Sequence, residues 1–406
     1  MKSRWSDEES ERCIDQFGVN CADEELGRDL ALRVYTSRLI GADTELVLHG
    51  GGNTSVKSHH RTVLGATVPA IYVKGSGWDL KSIEPRGFPG LDLEYLRTLR
   101  AVGALPDTAM VNELRTHMFD ATGPTPTVET LLHAFLDDKF VDHTHADAIV
   151  ALTNNVDAEA MLAECFGEEV AYVPYVMAGF DLAIAAAKVY EDNRGKAGMI
   201  LLNHGLFTWG SSARESYERH IQLVDRAKTY LDQRTRKRTF QVDTPPSLDP
   251  LSVLPILRGA IAQRMPSGNR RMIASLRQSK AILEFVNCPE LREAANTGPL
   301  TPDHIIRTKE LPLVLEPLAR QDLTSDFVAS AIARYEHSYN KYFVRCQSER
   351  GSAVKQLDAM PRVVVVPGMG LVTFGETATA AGIAADIYEH TIAVKSLVSA
   401  ISEYRA

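Results

Sequence analysis

The sequence predicts an α/β layered fold in two parts, and three observations lead there. Short apolar runs ending in glycine turns alternate with longer stretches whose apolar residues recur every three or four positions. That alternation is the pattern of strands interleaved with packed helices. Near residue 240 the proline-rich "TPPSLDPLSVLP" breaks it, dividing the chain into 1–240 and 241–406. The second part then ends on a strand–helix unit that resembles one in the first.

In order, "EELGRDLALRVYTSRLI" (24–40) has helical spacing of its apolar positions and reads as an amphipathic helix. "LVLHGGGNTSVK" is a short apolar run broken by three glycines, and "AIYVKGSGWDL" is a strand ending in Gly-Ser-Gly. "VNELRTHMFD" reads as helix. "PTPTVETLLHAFL" carries threonines suited to N-caps and an early glutamate, so a helix is expected from near Thr127. "HTHADAIVALT", "AYVPY" and "GMILLNHGLFTWG" read as strands, and a long amphipathic helix follows from residue 212.

Beyond the break come "LPILRGAIAQRM", "SKAILEFVN", "GPLTPDHIIRTKELPLVL", a helix around 324–349 and the closing unit "RVVVVPGMGLVTFGETATAAG…". "LLNHGLFTWGSSA" and "VPGMGLVTFGETA" align at a constant offset, placing Met369 opposite His204. The expectation is a degenerate partial repeat that keeps a scaffold and loses its chemistry. "VVVVPGMGLVTFG" also suggests a dinucleotide turn, but the third glycine of GxGxxG is replaced by Thr373 and no acidic residue follows at a second strand end, so that reading fails.

With 45% hydrophobic and 24% charged residues the chain has a globular composition, and 406 residues exceed one small core. A net charge of -8 without a basic stripe argues against nucleic acid and anionic membranes as partners. No apolar run approaches the roughly 20 residues of a spanning helix. The charged start "MKSRWSDEESERC" lacks a signal-peptide core, so a cytoplasmic location is expected. Cys13, Cys21, Cys165, Cys288 and Cys346 form no CxxC pair, so a bound metal would need nitrogen and oxygen ligands.

His143 and His145 supply such ligands. On a strand, residues i and i+2 share a face, so the two imidazoles converge on one point, as two ligands of a tetrahedral zinc do. The pair also fits strand histidines bonded to neighbouring carboxylates. His204, beside a glycine at the end of an apolar strand, is a third candidate; His133 and His117 compete with it. Glu129 sits at a helix start, either as a good N-terminal residue or as a base beside a metal. "GGGNTSVK" and "KGSGW" can cradle an oxyanion with backbone N–H groups, Asn53, Ser55, Ser76 and Lys57 or Lys74, or can be plain loops.

Taken in order, "GGGNTSV", "KGSGWDL", "PTVETLLHAF", "VDHTHADAIVALT", "VPYVMAGFDLA" and "LLNHGLFTWG" resemble the class II aldolase/adducin family. With "PDHIIRTK" they are most similar to the aldolase half of bifunctional rhamnulose-1-phosphate aldolase/alcohol dehydrogenases, a resemblance that implies a chain ending where the dehydrogenase half begins. It implies a central, largely antiparallel sheet flanked by helices, followed by a C-terminal α/β extension, and assembly as a homo-oligomer, commonly a tetramer. It assigns the metal to His143, His145 and His204, one Zn2+ or another divalent metal per subunit, and the catalytic carboxylate to Glu129. Asn53, Ser76, Gly77 and Thr127 match positions that hold the substrate phosphate. Val128 departs from the family, replacing a second phosphate-binding serine, and no position matches the tyrosine that some members use as acid.

The implied function is zinc-dependent, reversible cleavage of a ketose 1-phosphate, rhamnulose- or fuculose-1-phosphate-like, to dihydroxyacetone phosphate and an aldehyde through a metal-stabilised enediolate. A sugar-phosphate epimerase, decarboxylase or dehydratase of the same family is the alternative, and a non-catalytic adducin-like interaction module another. Asp303, His304, Arg307 and Lys309 either form a solvated turn or bind the anionic end of the substrate.

Overall fold

The computed structural model describes residues 1–19, 23–235, 247–265, 271–317, 323–350 and 354–406. The chain falls into two compact units, Met1–Arg234 and Thr235–Ala406. The expected division between residues 240 and 241 lies outside the described residues, as does Cys21.

The first unit is built on seven strands: β1 (Asn53–Arg61), β2 (Thr67–Val73), β3 (Gly90–Asp92), β4 (Phe140–Thr144), β5 (Val170–Val173), β6 (Gly198–Leu201) and β7 (Gly205–Gly210). Their order is β3-β2-β1-β4-β7-β6-β5. Every neighbouring pair is antiparallel except β5 and β6, which the crossover helix Phe180–Asp192 joins in parallel. The sheet is therefore central and largely antiparallel, as expected. Alternation along β4 splits its side chains between two faces. Val141 packs with Leu131, Phe135 and Phe180 in the main core, whereas Asp142 and Thr144 meet helices Glu24–Gly41 and Ala213–Arg234 behind the sheet.

Two local expectations need correction. "HTHADAIVALT" is not one strand: β4 ends at Thr144, and Asp147–Thr153 is a helix. Ala148–Leu152 is buried throughout, and an apolar run buried on all sides reads alike as strand or short helix. The helix expected near Thr127 begins at Thr130, with Glu129 in the cap position. Thr127 instead closes a turn, its carbonyl accepting from the Thr130 amide at 3.1 Å and the Thr130 hydroxyl at 2.6 Å.

The second unit has a separate sheet of β8 (Ile273–Arg277), β9 (Leu313–Val314), β10 (Val363–Val366) and β11 (Gly370–Gly375), ordered β8-β11-β10-β9. Val364 and Val366 enter one core while Val363 and Val365 enter another, so the four-valine run is apolar because helices cover both faces. This sheet repeats the β4-β7-β6-β5 part of the first unit. The pairing Met199↔Phe207 recurs as Val364↔Val372, and Ala171↔Met199 recurs as Leu313↔Val364. The helix after β7, Ala213–Arg234, recurs 165 residues later as Ala378–Ser399. Thr208 Oγ1 bonds the Ser216 carbonyl at 3.2 Å, and Thr373 Oγ1 bonds that of Ala381 at 2.7 Å. The repeat thus takes in four strands and a helix, beyond the single strand and turn visible in sequence.

Candidate metal centre and active site

Three elements bring three imidazoles together. His143 is on β4 and His145 lies one residue past its end; His204 occupies the turn between β6 and β7, after Asn203 at φ +56°. Strand β7 pairs with β4, which brings the turn beside the β4 histidines. Gly205 makes the approach feasible. A Cβ there would stand 2.3 Å from the Thr144 carbonyl oxygen, 3.1 Å from His143 Cε1 and 3.2 Å from His145 Cδ2.

One ligand atom from each of His143, His145 and His204 lies within 4.8 Å of the other two. His143 Nε2 and His145 Nε2 are 3.1 Å apart. Ligands at about 2.0–2.1 Å on a tetrahedral ion place neighbouring nitrogens roughly 3.3 Å from each other. His143 Nδ1 donates to the Leu206 carbonyl at 3.1 Å, which turns the Nε2 lone pair into the cluster. Burial, reinforced by His145 and His204, holds His143 well below the usual histidine range, so that lone pair stays unprotonated. His204 is 1% exposed, and among the described residues neither of its ring nitrogens has a hydrogen-bond partner. Three convergent nitrogens, one ring otherwise unsatisfied, fit a divalent cation that accepts imidazole ligands.

Glu129 closes the group. Its Oε2 is 3.4 Å from His143 Nε2 and its Oε1 is 3.3 Å from His204 Nε2. Asn53, paired with His143 across β1 and β4, donates its amide to Glu129 Oε2 at 2.5 Å. Behind it, His133 Nε2 lies 2.5 Å from Asn53 Oδ1 and His133 Nδ1 lies 2.8 Å from Ser55 Oγ. His133 is thus spent on a buried polar chain, away from the three-histidine group.

The remaining candidates fall into two groups. Ser76 and Gly77 form an exposed turn in which Ser76 N donates to the Thr125 carbonyl at 2.7 Å, and Thr127 N donates to the Lys74 carbonyl at 3.2 Å. These two bonds set Ser76, Gly77 and Thr127 side by side, just ahead of Glu129. Gly77, at φ +83°, has open space around it. Lys74 Nζ donates to the Gly50 carbonyl at 2.6 Å, which ties the first glycine turn to the second.

Lys57 does not reach either turn: it is buried, with Nζ on the Asp138 carbonyl at 2.8 Å. His117 stacks on Tyr95 and bonds the Glu113 carbonyl. In the second unit Lys309 is also buried, its Nζ on the Asp358 carbonyl at 2.5 Å, so it is not an exposed anion ligand. Sequence reasoning missed what His133 does; its place four residues after Glu129 was the available signal.

Comparison with known proteins agrees with this architecture. The class II aldolase and adducin N-terminal domain matches residues 32–231, and the aldolase class II second domain matches residues 249–406. A curated relative in Bacillus subtilis (strain 168), named uncharacterized oxidoreductase YuxG, is 32% identical over 384 residues. The match takes in 91% of this chain and 54% of that protein, so the chain spans about half the length of the curated relative. The solved N-terminal class II aldolase domain of a conserved protein from Thermoplasma acidophilum is 37% identical, with a TM-score of 0.50. It covers 57% of this chain and 99% of that one.

Proposed function

Because the chain belongs to the class II aldolase and adducin family, we propose that it is a metal-dependent aldehyde-lyase that reversibly cleaves a ketose 1-phosphate to dihydroxyacetone phosphate and an aldehyde. The observation that carries this reading is the convergence of His143, His145 and His204 with the Glu129 carboxylate against two of the three rings. The three histidines would hold one divalent ion, with zinc the best match to three imidazoles. Such an ion, when bound, supplies Lewis-acid polarisation of the ketose carbonyl.

The chain's own residues do the rest. Glu129 holds or delivers a proton at the carbon that becomes the hydroxymethyl carbon of dihydroxyacetone phosphate. When the C3–C4 bond breaks, its electron pair stays with the ketone fragment and that carbon takes the proton, while the C4 hydroxyl releases its proton to solvent and C4 leaves as the aldehyde carbonyl. The Gly77 N–H and the Ser76 and Thr127 hydroxyls bind the phosphate, while Asn53 donates its amide to Glu129. Val128, 45% exposed, adds no donor there, so phosphate affinity is set by the other groups.

The same machinery would serve an epimerase, decarboxylase or dehydratase, and product analysis separates these because only an aldolase yields two carbonyl fragments from a ketose phosphate. An adducin-like interaction module has no use for the buried His143 and His204 with Glu129 between them. The test is metal analysis with a screen of ketose 1-phosphates for dihydroxyacetone phosphate release. His143→Ala is expected to lose both metal and cleavage. Glu129→Gln is expected to keep metal and lose proton exchange; full cleavage by His143→Ala without metal ends this reading. Oligomeric assembly and a cytoplasmic location are part of the same proposal; among the described residues no helix is long and apolar enough to cross a membrane.

A further inference from the structure

We propose that His133 is a positioning residue: as its Nε2–H tautomer it fixes the amide of Asn53, which then holds the Glu129 carboxylate facing His143 and His204. The inference rests on Glu129 as the proton-transfer group of the proposed lyase. Its geometry follows from one premise, that an ionised carboxylate only accepts hydrogen bonds.

Glu129 Oε2 lies 2.5 Å from the Asn53 amide nitrogen, so Asn53 must present its N–H side to the carboxylate. Oδ1 then points the other way, where His133 Nε2 stands 2.5 Å off and must donate. The second ring nitrogen, Nδ1, is left to accept the Ser55 hydroxyl proton at 2.8 Å. Each donor and acceptor in Ser55–His133–Asn53–Glu129 is thereby determined. Burial first, then the positive charges of Lys57 and Arg33, hold His133 well below the usual range, so the ring carries the single proton this scheme needs.

The fold makes the chain rigid. Asn53 and Ser55 are alternate residues of β1 and share a face. His133 follows Glu129 by four residues, with its amide bonded to the Glu129 carbonyl at 3.2 Å, so histidine and carboxylate rise from the same turn. Phe207 meets the His133 ring edge-on at 5.4 Å and stacks on His143 at 4.1 Å, so one side chain packs against both rings. Without the histidine N–H, the Asn53 amide can rotate by 180° and turn its oxygen to the carboxylate. Glu129 would then lose its donor and its fixed aim, although nothing in the three-histidine group would change.

The test uses the full-length, zinc-loaded protein. In ¹⁵N NMR, His133 is expected to show a protonated Nε2 and a bare Nδ1 unchanged from pH 6 to 8. An Nδ1–H ring overturns the proposal whether or not a lyase activity is found. His133→Leu is expected to retain zinc while kcat for solvent-proton exchange into dihydroxyacetone phosphate falls about 10–100-fold at nearly constant KM. His133→Gln, whose amide can donate to Asn53 and accept from Ser55, is expected to recover most of that rate. Wild-type exchange in His133→Leu, or equal loss of zinc in both variants, would sink it. A wild-type protein that exchanges no proton with any ketose phosphate product defeats the lyase reading, and the tautomer then decides the placement of His133 by itself.

Discussion

Asp142 stands between Val141 and the first metal-binding candidate, His143, yet its side chain points away from both. It is fully buried behind the sheet, bonded to Arg33 and Ser216, each at 2.5 Å. Arg33 also donates to the Ser55 and Val141 carbonyls at 3.3 Å, so the ion pair stitches helix Glu24–Gly41 to β1 and β4. Removing one partner leaves an unpaired buried charge. Asp142→Ala is therefore expected to lower stability by about 3–5 kcal/mol in denaturant unfolding, and Arg33→Met with Asp142→Leu to recover most of it. In front of the sheet, Gly205→Ala is expected to weaken metal binding about tenfold or more in a chelator competition, because the new methyl group must displace the Thr144 backbone or the two histidine rings. Strand periodicity made His143 and His145 legible as a converging pair, and the family resemblance added His204 and Glu129. Both left Asp142 and His133 unassigned, because their partners Arg33 and Asn53 are 109 and 80 residues away and meet them only across the finished sheet.

At the scale of elements, the β6–β7 hairpin decides where His204 points. Asn203 sits at φ +56°, a left-handed conformation that asparagine and glycine accept and β-branched residues resist. The second unit carries the matching hairpin, with Gly368 at φ +75° in the place of Asn203 and Met369 in that of His204. The chain has thus already tried glycine in this turn. Asn203→Gly is expected to keep metal binding and lose less than about 1 kcal/mol, whereas Asn203→Val is expected to lose about 1–3 kcal/mol and to loosen His204. Thermal melts with and without added zinc would check both, and an unaffected Asn203→Val protein would show that the turn does not constrain the ligand. This duplication was half visible in sequence. Glycine and threonine recur wherever the backbone and the Thr208-type bond demand them, but β8 and β9 share only register with β4 and β5, and pairing register leaves no motif.

For the whole molecule, each unit carries a lysine buried at an energetic cost, and the two share one pH signature. Lys57 in the first unit and Lys395 in the second are each pushed from 10.5 down to about 7 by burial. Lys57 bonds the Asp138 carbonyl at 2.8 Å and Lys395 the Ala294 carbonyl at 3.0 Å, and the nearby Asp138 and Asp137 charges offset the burial of Lys57 only in part. Both folded amines are largely neutral above pH 7, while their unfolded counterparts stay protonated to about 10.5. Between those limits the unfolded chain holds more protons, so stability rises with pH, by up to about 1.4 kcal/mol per unit for each lysine. Below about pH 7 both states are protonated and the dependence on these groups vanishes. The clean window is pH 7 to 8.5, before cysteines and tyrosines ionise; Cys13 and Cys165, raised to about 11, act in the opposite sense above it. Urea unfolding of the intact chain in that window is expected to give a positive slope of stability against pH. Lys395→Met should remove the Lys395 contribution and Lys57→Met that of Lys57, while Lys309 in the second unit, lowered by burial to about 8, keeps a smaller share above pH 8 in both variants. A slope that neither substitution changes would mean that both amines stay charged in the folded protein.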